Sequence, residues 1–246
     1  MRGGYSGTTG TTGTTGTTGT TGTTGTTMRG ALSAVLALVL LAPVFAQSQG
    51  QTGAKDALLN PQDSRFRLPA PDVCTVRFDT SKGVIDIQVT RAWSPLGADR
   101  FVNLVRAGYY DDVRFFRVTT GKWTQFGING TPAIAKAWRN QTIQDDPFKE
   151  SNVRGTVAFA FAVPNGRTTQ VFFNMTDNSP THDKEPFTPF GKIVAGMDVA
   201  VALNDEYAEG PGGIRAGRQD AYFDGGNEWL LKQFPRLDYI KTARVR

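Results

Sequence analysis

Phe115-Phe116-Arg117-Val118, followed by Gln125, and Thr169-Gln170-Val171-Phe172-Phe173-Asn174 are the two stretches that decide how this chain folds. Both are typical of short strands. Side chains alternate between the two faces of a strand, so we expect Arg117 on the face of Val113 and Phe115, and Gln170 on the face of Phe172. Each strand would then hold one long polar side chain over an apolar surface, which indicates either a strand rim or the wall of a pocket.

The N-terminal residues 1–27 are of low complexity. Gly7 to Thr27 consists of seven copies of Gly-Thr-Thr. A run without apolar side chains buries nothing that would offset its ordering entropy, so we predict that it is disordered. Met28-Arg29-Gly30 repeats Met1-Arg2-Gly3, which makes Met28 an alternative start.

Residues 28–46 have the pattern of a secretory signal peptide. Arg29 provides the positive charge, Ala31 to Phe45 is an apolar run of 15 residues, and Val44-Phe45-Ala46 is typical of a cleavage site. The run is shorter than the roughly 20 residues that span a bilayer comfortably. We therefore expect an exported, periplasmic or extracellular protein; the alternative is an uncleaved segment that anchors it to a membrane.

Charge and cysteine content narrow the functional classes. Loss of residues 1–46 lowers the formal charge from +5 to +3, because it removes Arg2 and Arg29 and no acidic residue. Such a mild charge does not favour a nucleic-acid partner. Cys74 is the only cysteine, so no intrachain disulfide can form, and its position in a predicted strand favours a buried, inert thiol.

The remainder divides into a linker at 47–71, which is polar and turn-rich, and one domain at 72–246. Apolar periodicity predicts two main helices, one beginning near Ser94 and ending near Gly108, the other at 197–203. We expect 204–226 to be an exposed loop and 227–233 a short helix. Many short strands and two main helices favour a mainly β fold, a closed antiparallel barrel with helices over its ends. The predicted strands are 74–78, 84–89, 113–118, 123–128, 157–163, 171–175, 190–194 and 237–245.

Four blocks within residues 74–204 resemble the cyclophilin family of peptidyl-prolyl cis-trans isomerases. They are Ala98 to Leu104, Phe115 to Val118 with Gln125-Phe126-Gly127, Thr169 to Asn174, and Phe190 to Asp198. Their order and spacing make the resemblance specific. It implies an eight-stranded antiparallel barrel capped by two helices, and an isomerase that uses neither metal nor cofactor.

The resemblance also implies a set of site residues. The catalytic arginine of the family falls on Arg117, and the first of its two glutamines, also expected to be catalytic, falls on Gln125. The residues expected to bind the substrate are Trp123, Ala160, Gln170, Phe172 and Phe187.

The chemistry follows from the proline peptide bond. Rotation is slow because it breaks amide resonance, and the twisted state returns a lone pair to the prolyl nitrogen. A donor directed at that nitrogen binds the twisted state more strongly than either planar state, and only such differential binding accelerates the step. Arg117 suits this role because a guanidinium stays charged and presents a rigid fork of donors.

The chain departs from the family pattern at several positions. Lys122 and Trp123 stand where two apolar pocket residues are usual, Thr120 replaces a proline, and Arg167-Thr168-Thr169 replaces a small, polar run. Trp123 shares the face of Gln125 and could still form a pocket wall. These departures affect expected turnover and sequence preference, whereas the fold prediction does not depend on them.

His182, the only histidine, lies in a polar loop next to Asp183. Adjacent residues do not make a catalytic triad, and a single histidine with one distant cysteine is a poor metal-ligand set, so we favour neither site.

We therefore expect a monomeric prolyl isomerase that acts on proline-containing peptides and unfolded exported proteins. The alternative is a module of the same fold that binds peptides or acts as a chaperone with weak or no isomerase activity.

Overall fold

A computed structural model describes residues 56–207, 214 and 219–246. The repeat and signal-peptide predictions at 1–46 lie outside these residues, as do the first residues of the predicted linker. Within the described ranges, no helix has the length and apolar character needed to cross a bilayer.

The described residues form one antiparallel sheet of nine strands. Neighbouring strands follow the order β3-β9-β1-β2-β8-β6-β7-β5-β4. The strand bounds are β1 Val73–Thr80, β2 Val84–Thr90, β3 Val113–Arg114, β4 Arg117–Thr119, β5 Trp123–Phe126, β6 Thr156–Phe159, β7 Val171–Asn174, β8 Pro189–Ala195 and β9 Tyr239–Val245.

The strand count differs from the predicted eight because the segment 113–118 is split. Its first part, β3, pairs with β9, whereas β4 pairs with β5 at the other end of the strand order. Only Phe115 and Phe116 separate the two parts, so one bent segment supplies both end strands of a curled sheet. No hydrogen-bonded pairing between β3 and β4 occurs in the described residues, so the sheet is curled rather than closed by a complete ladder.

Five α-helices accompany the sheet in the described ranges. The helix Pro95–Arg106 buries Phe101, Leu104 and Val105, as its apolar periodicity predicts. Gly108 follows the end of this helix with a φ of 75°, a backbone conformation that favours glycine. The bounds are α1 Pro95–Arg106, α2 Pro132–Trp138, α3 Ser179–His182, α4 Met197–Val201 and α5 Asp220–Gln233.

Aromatic rings dominate the core between sheet and helices. Phe126 lies 5.0 Å from Phe173 and 5.6 Å from Phe78 between ring centroids, and Phe101 of α1 lies 4.8 Å from Phe190 of β8. Cys74 is a buried free thiol, as predicted, and burial raises its pKa against an opposing effect of Arg106. The alternating pattern of β1 and β2 thus buries one face of each strand, as the sequence indicates.

The part of the predicted linker that the structure describes packs onto the domain. Phe66 meets Trp138 edge to face at 4.7 Å, and the Trp138 indole donates to the carbonyl of Leu58 at 2.8 Å. Asn103 donates to the carbonyl of Leu68 at 2.7 Å. The described part of the predicted linker therefore contains buried residues, Ala57, Leu58, Phe66 and Ala70. Apolar residues spaced widely among polar ones show no periodicity that would reveal this burial.

The prediction of an exposed loop at 204–226 is wrong for its last residues, from Asp220 onward. Residues from Asp220 belong to α5, in which Gly226 adopts a φ of 55° and kinks the helix. Tyr222 and Phe223 are buried in a second, smaller apolar cluster. Their burial depends on partners far away in sequence; the members of this cluster are Phe116, Ile128, Ala135, Ile214, Tyr222, Phe223, Leu230 and Leu237.

Arg167, one of the departures from the family pattern, is fully buried in an ion-pair network. Its Nη1 donates to Asp146 Oδ2 at 3.1 Å and to Ser94 Oγ at 3.2 Å. Burial raises the pKa of Asp146, but hydrogen bonds from Ser94 and from backbone amides, together with Arg167, outweigh it, and the pKa stays below its ordinary value. The arginine therefore secures the start of α1 to the loop before β7.

Candidate active site

Three adjacent strands bring Arg117, Gln125 and Phe172 into one row. Arg117 of β4 is directly opposite Gln125 of β5, which is directly opposite Phe172 of β7. Because directly opposed residues of antiparallel strands lie on the same face of the sheet, all three side chains share one surface. The stretches 115–118 and 169–174 thus meet across β5.

Arg117 does not share the face of Val113 and Phe115, and this expectation was wrong. Val113, Phe115 and Val118 are in the main core, whereas Phe116 lies in the second cluster and Arg117 faces a surface pocket. Two successive residues thus point outward, and the alternation shifts by one where β3 gives way to β4. The split strand is therefore what places the guanidinium outside the core.

Hydrogen bonds and a ring contact orient the Arg117 side chain. Its Nη1 donates to Gln125 Oε1 at 3.1 Å, and its guanidinium carbon lies 5.3 Å from the ring centroid of Trp123. Gln125 Nε2 in turn donates to Gln170 Oε1 at 2.8 Å. Gln125 is nearly buried, so an amide held at both ends fixes the position of the guanidinium.

A pocket of about 260 Å³ opens over this row of side chains. Six of the seven predicted site residues line it, and Gln170 is behind them, in contact with Gln125. The backbone amide of Ala160 donates to the backbone carbonyl of Gln170 at 2.9 Å, which holds Ala160 next to the residue that precedes β7. The lining residues are Arg117, Trp123, Gln125, Ala160, Phe161, Phe172, His182 and Phe187.

Two lining residues, Phe161 and His182, were not predicted. The His182 ring lies 4.9 Å from Phe187 and 5.5 Å from Phe172 between centroids. The carboxylate of its sequence neighbour, Asp183, accepts a hydrogen bond from the backbone amide of Asn152 at 2.8 Å. The sequence offers one signal for His182, its position in the loop that leads to Phe187, but no periodicity in that loop shows which side chains turn inward.

Burial lowers the pKa of His182 below its ordinary value, and Asp183 opposes this effect. The imidazole is therefore neutral near pH 7, which suits its place among aromatic rings. Together with Phe172 and Phe187 it forms a wall of aromatic rings in the pocket.

The two departures at 122 and 123 have different positions. The Trp123 ring lines the pocket and meets His182 edge to face at 5.7 Å between ring centroids. Lys122 is exposed, with Nζ 6.0 Å from the Trp123 ring centroid. The second cation therefore lies beside the tryptophan, outside the set of pocket-lining residues.

A protein-family model described as "Cyclophilin type peptidyl-prolyl cis-trans isomerase/CLD" matches residues 75–216, more than half of the chain. This chain belongs to the cyclophilin-type peptidyl-prolyl cis-trans isomerases. The isomerase is 30% identical to peptidyl-prolyl cis-trans isomerase A of Dickeya dadantii over 141 residues, which cover 56% of this chain and 74% of that protein. It is 32% identical to peptidyl-prolyl cis-trans isomerase cyp18 of Streptomyces antibioticus over 139 residues, 52% of this chain and 82% of the relative.

Solved structures agree on the fold. A cyclophilin type isomerase of Cryptosporidium parvum superimposes with a TM-score of 0.53 at 16% identity, over 71% of this chain and 98% of that one. A second crystal structure of that protein, determined in the presence of the dipeptide Ala-Pro, matches with a TM-score of 0.52, also at 16% identity, and covers 70% of this chain and 98% of that one. The mainly β cyclophilin fold is therefore confirmed.

Proposed function

We propose that the pocket over β4, β5 and β7 binds a proline ring and that Arg117 catalyses rotation about the preceding peptide bond. The observation behind this proposal is the row of Arg117, Gln125 and Phe172, which sets a cationic donor beside an aromatic wall in one pocket. The pocket thus offers an apolar surface to the proline ring and a hydrogen-bond donor to the prolyl nitrogen.

Arg117 stabilises the twisted state. As the amide loses planarity, the prolyl nitrogen regains a lone pair that can accept a hydrogen bond, and a guanidinium nitrogen is a suitable donor. Gln125 accepts from Nη1 of Arg117 at 3.1 Å and so keeps the guanidinium directed at the pocket. The step forms and breaks no covalent bond and needs no proton transfer.

The apolar wall holds the substrate and excludes water. Phe172 and Phe187 meet edge to face at 5.5 Å between ring centroids, and both line the pocket. Exclusion of water strengthens a hydrogen bond to the prolyl nitrogen, since the effective dielectric constant falls. Trp123 also lines the pocket, and its ring centroid lies 5.3 Å from the guanidinium carbon of Arg117.

The test is a coupled protease assay on an X–Pro peptide. Arg117→Ala should lower kcat/KM by about a hundredfold, as expected for removing one donor directed at developing charge. Arg77→Ala is the matched control, because Arg77 is likewise an arginine on a strand, β1, with a hydrogen-bonded side chain (paired with Asp86 at 2.8 Å), but it lies outside the pocket lining. If wild type and Arg117→Ala isomerise the peptide equally slowly, the alternative of a peptide-binding or chaperone module replaces this proposal.

We also propose that the isomerase acts on unfolded proteins after export. This proposal rests on the signal-peptide pattern of residues 28–46 alone. N-terminal sequencing of the protein from the cell envelope should find Gln47 as the first residue. An intact N-terminus in a membrane fraction would support the membrane-anchored alternative.

A further inference from the structure

A row of side-chain amides leads from the pocket to the start of α5. Gln125 Nε2 donates to Gln170 Oε1 at 2.8 Å, and Gln170 Nε2 donates to Gln219 Oε1 at 2.8 Å. Gln219 Nε2 returns a bond to Gln170 Oε1 at 3.1 Å. Gln219 directly precedes α5 and lies outside residues 75–216, the range that the family model matches.

The guanidinium sets the direction of every bond in this row. Because Arg117 has donors only, Gln125 must turn Oε1 toward it and Nε2 toward Gln170. Gln170 must then present Oε1 to Gln125, which leaves its Nε2 for the amide of Gln219. Gln219 is thus the last acceptor of the row, and its own Nε2 supports the oxygen that Gln125 needs.

Gln219 is held firmly enough to serve as this end point. Its carbonyl accepts from the amides of Tyr222 and Phe223, both at 3.0 Å. The Tyr222 ring meets Phe116 at 5.7 Å, and its hydroxyl donates to the Ile128 carbonyl at 2.7 Å. Phe116 directly precedes Arg117, so the helix that begins after Gln219 is packed against the strand that bears the guanidinium.

We propose that Gln219 is a positioning residue for the isomerase, which holds Gln170 and Gln125 in the orientation that directs Arg117 into the pocket. This inference deepens the proposed function and rests on it. Gln219 does not line the pocket, so its contribution should concern the orientation of the guanidinium and not the binding of the proline ring.

The experiment is a double-mutant cycle on the full chain, with kcat and KM from the coupled protease assay. Gln219→Leu should lower kcat about fivefold, the usual effect of losing one net hydrogen bond, and should leave KM nearly unchanged. In a Gln125→Leu background the same change should have almost no effect, because the row is already broken. Asp224→Ala is the control on the same helix: its side chain is 68% exposed and pairs with Lys136, and kcat should stay at the wild-type value.

Equal factors for Gln219→Leu in both backgrounds would overturn the inference, because a general loss of stability acts without regard to Gln125. A kcat of Gln219→Leu equal to that of wild type, in an enzyme that Arg117→Ala inactivates, would overturn it as well. If wild type itself fails to accelerate isomerisation, the proposed function fails first, and the inference fails with it.

Discussion

Phe172 and Phe173 are consecutive in β7 and point to opposite faces, which provides a matched pair for separating binding from stability. Phe172 is 4% exposed and lines the pocket, with its ring 5.5 Å from that of Phe187. Phe173 is 0% exposed and lies within 5.0 to 6.4 Å of Phe78, Phe115 and Phe126. The same substitution, phenylalanine to alanine, should therefore have opposite consequences at the two positions.

The magnitudes follow from what each ring contacts. Phe173→Ala leaves a sealed cavity among three rings and should cost about 3–5 kcal/mol of unfolding free energy, which for a domain of this size lowers Tm by roughly 6–20 °C. Phe172→Ala opens into the pocket and leaves no sealed cavity, so its cost should be limited to the lost burial of the ring, about 1.5–3 kcal/mol. An aromatic face that covers roughly 60–80 Å² of a proline ring contributes about 1.5–2 kcal/mol to binding, so Phe172→Ala should lower kcat/KM about ten- to thirtyfold.

Thermal unfolding and the coupled protease assay, on the same preparations and well below the lowest Tm, measure both effects. We expect Phe172→Ala to lose activity with a smaller loss of Tm than Phe173→Ala. Phe173→Ala should lose Tm while the molecules that remain folded keep most of their kcat/KM. Full activity of Phe172→Ala, or a loss of activity in proportion to the loss of Tm in both variants, would refute this prediction.

Two further predictions concern ionisable groups, the half-buried His182 and the buried Arg167. Burial lowers the pKa of His182 below 6.5, the value expected in the unfolded chain. As the pH falls below 6.5, the imidazole therefore becomes protonated in the unfolded chain before it does so in the folded chain. The free energy of unfolding should then decrease from about pH 6.5 downward. In urea titrations between pH 8 and 5, His182→Phe should remove this part of the dependence of unfolding free energy on pH. An unchanged pH dependence in His182→Phe would contradict the prediction. Arg167→Met should cost about 3–5 kcal/mol in urea unfolding, because Asp146 would stay buried without its cation, whereas the exposed Arg154→Met should change little. A cost below about 1 kcal/mol at Arg167 would show that the hydrogen bonds to Asp146 suffice without an ion pair.

Strand pairing explains why most of the pocket could be predicted. Arg117, Gln125 and Phe172 belong to blocks whose order resembles the family, and the β4-β5-β7 register then aligns them across the sheet. The helix at Pro95–Arg106 was likewise evident from its apolar spacing. Each of these features belongs to a short segment, within which motif spacing or periodicity is informative.

Other parts of the site depend on contacts that no local pattern reveals. Whether His182 turns inward depends on rings from three separate segments, Trp123, Phe172 and Phe187. The short helix Pro132–Trp138 was not predicted, although its tryptophan joins the 56–71 segment to the core.

The amino-acid sequence by itself determined the family, the mainly β fold class and the identity of the arginine, glutamine and phenylalanine in the pocket, because these residues lie in short blocks of fixed spacing. Only the tertiary structure decided which way Arg117 points. A strict alternation would have put it in the core beside Phe115, but the split between β3 and β4 turns both Phe116 and Arg117 outward. That shift is set by two different partner strands, β9 and β5, and by Tyr222 packed on Phe116, all of which are distant in sequence or separated by a turn.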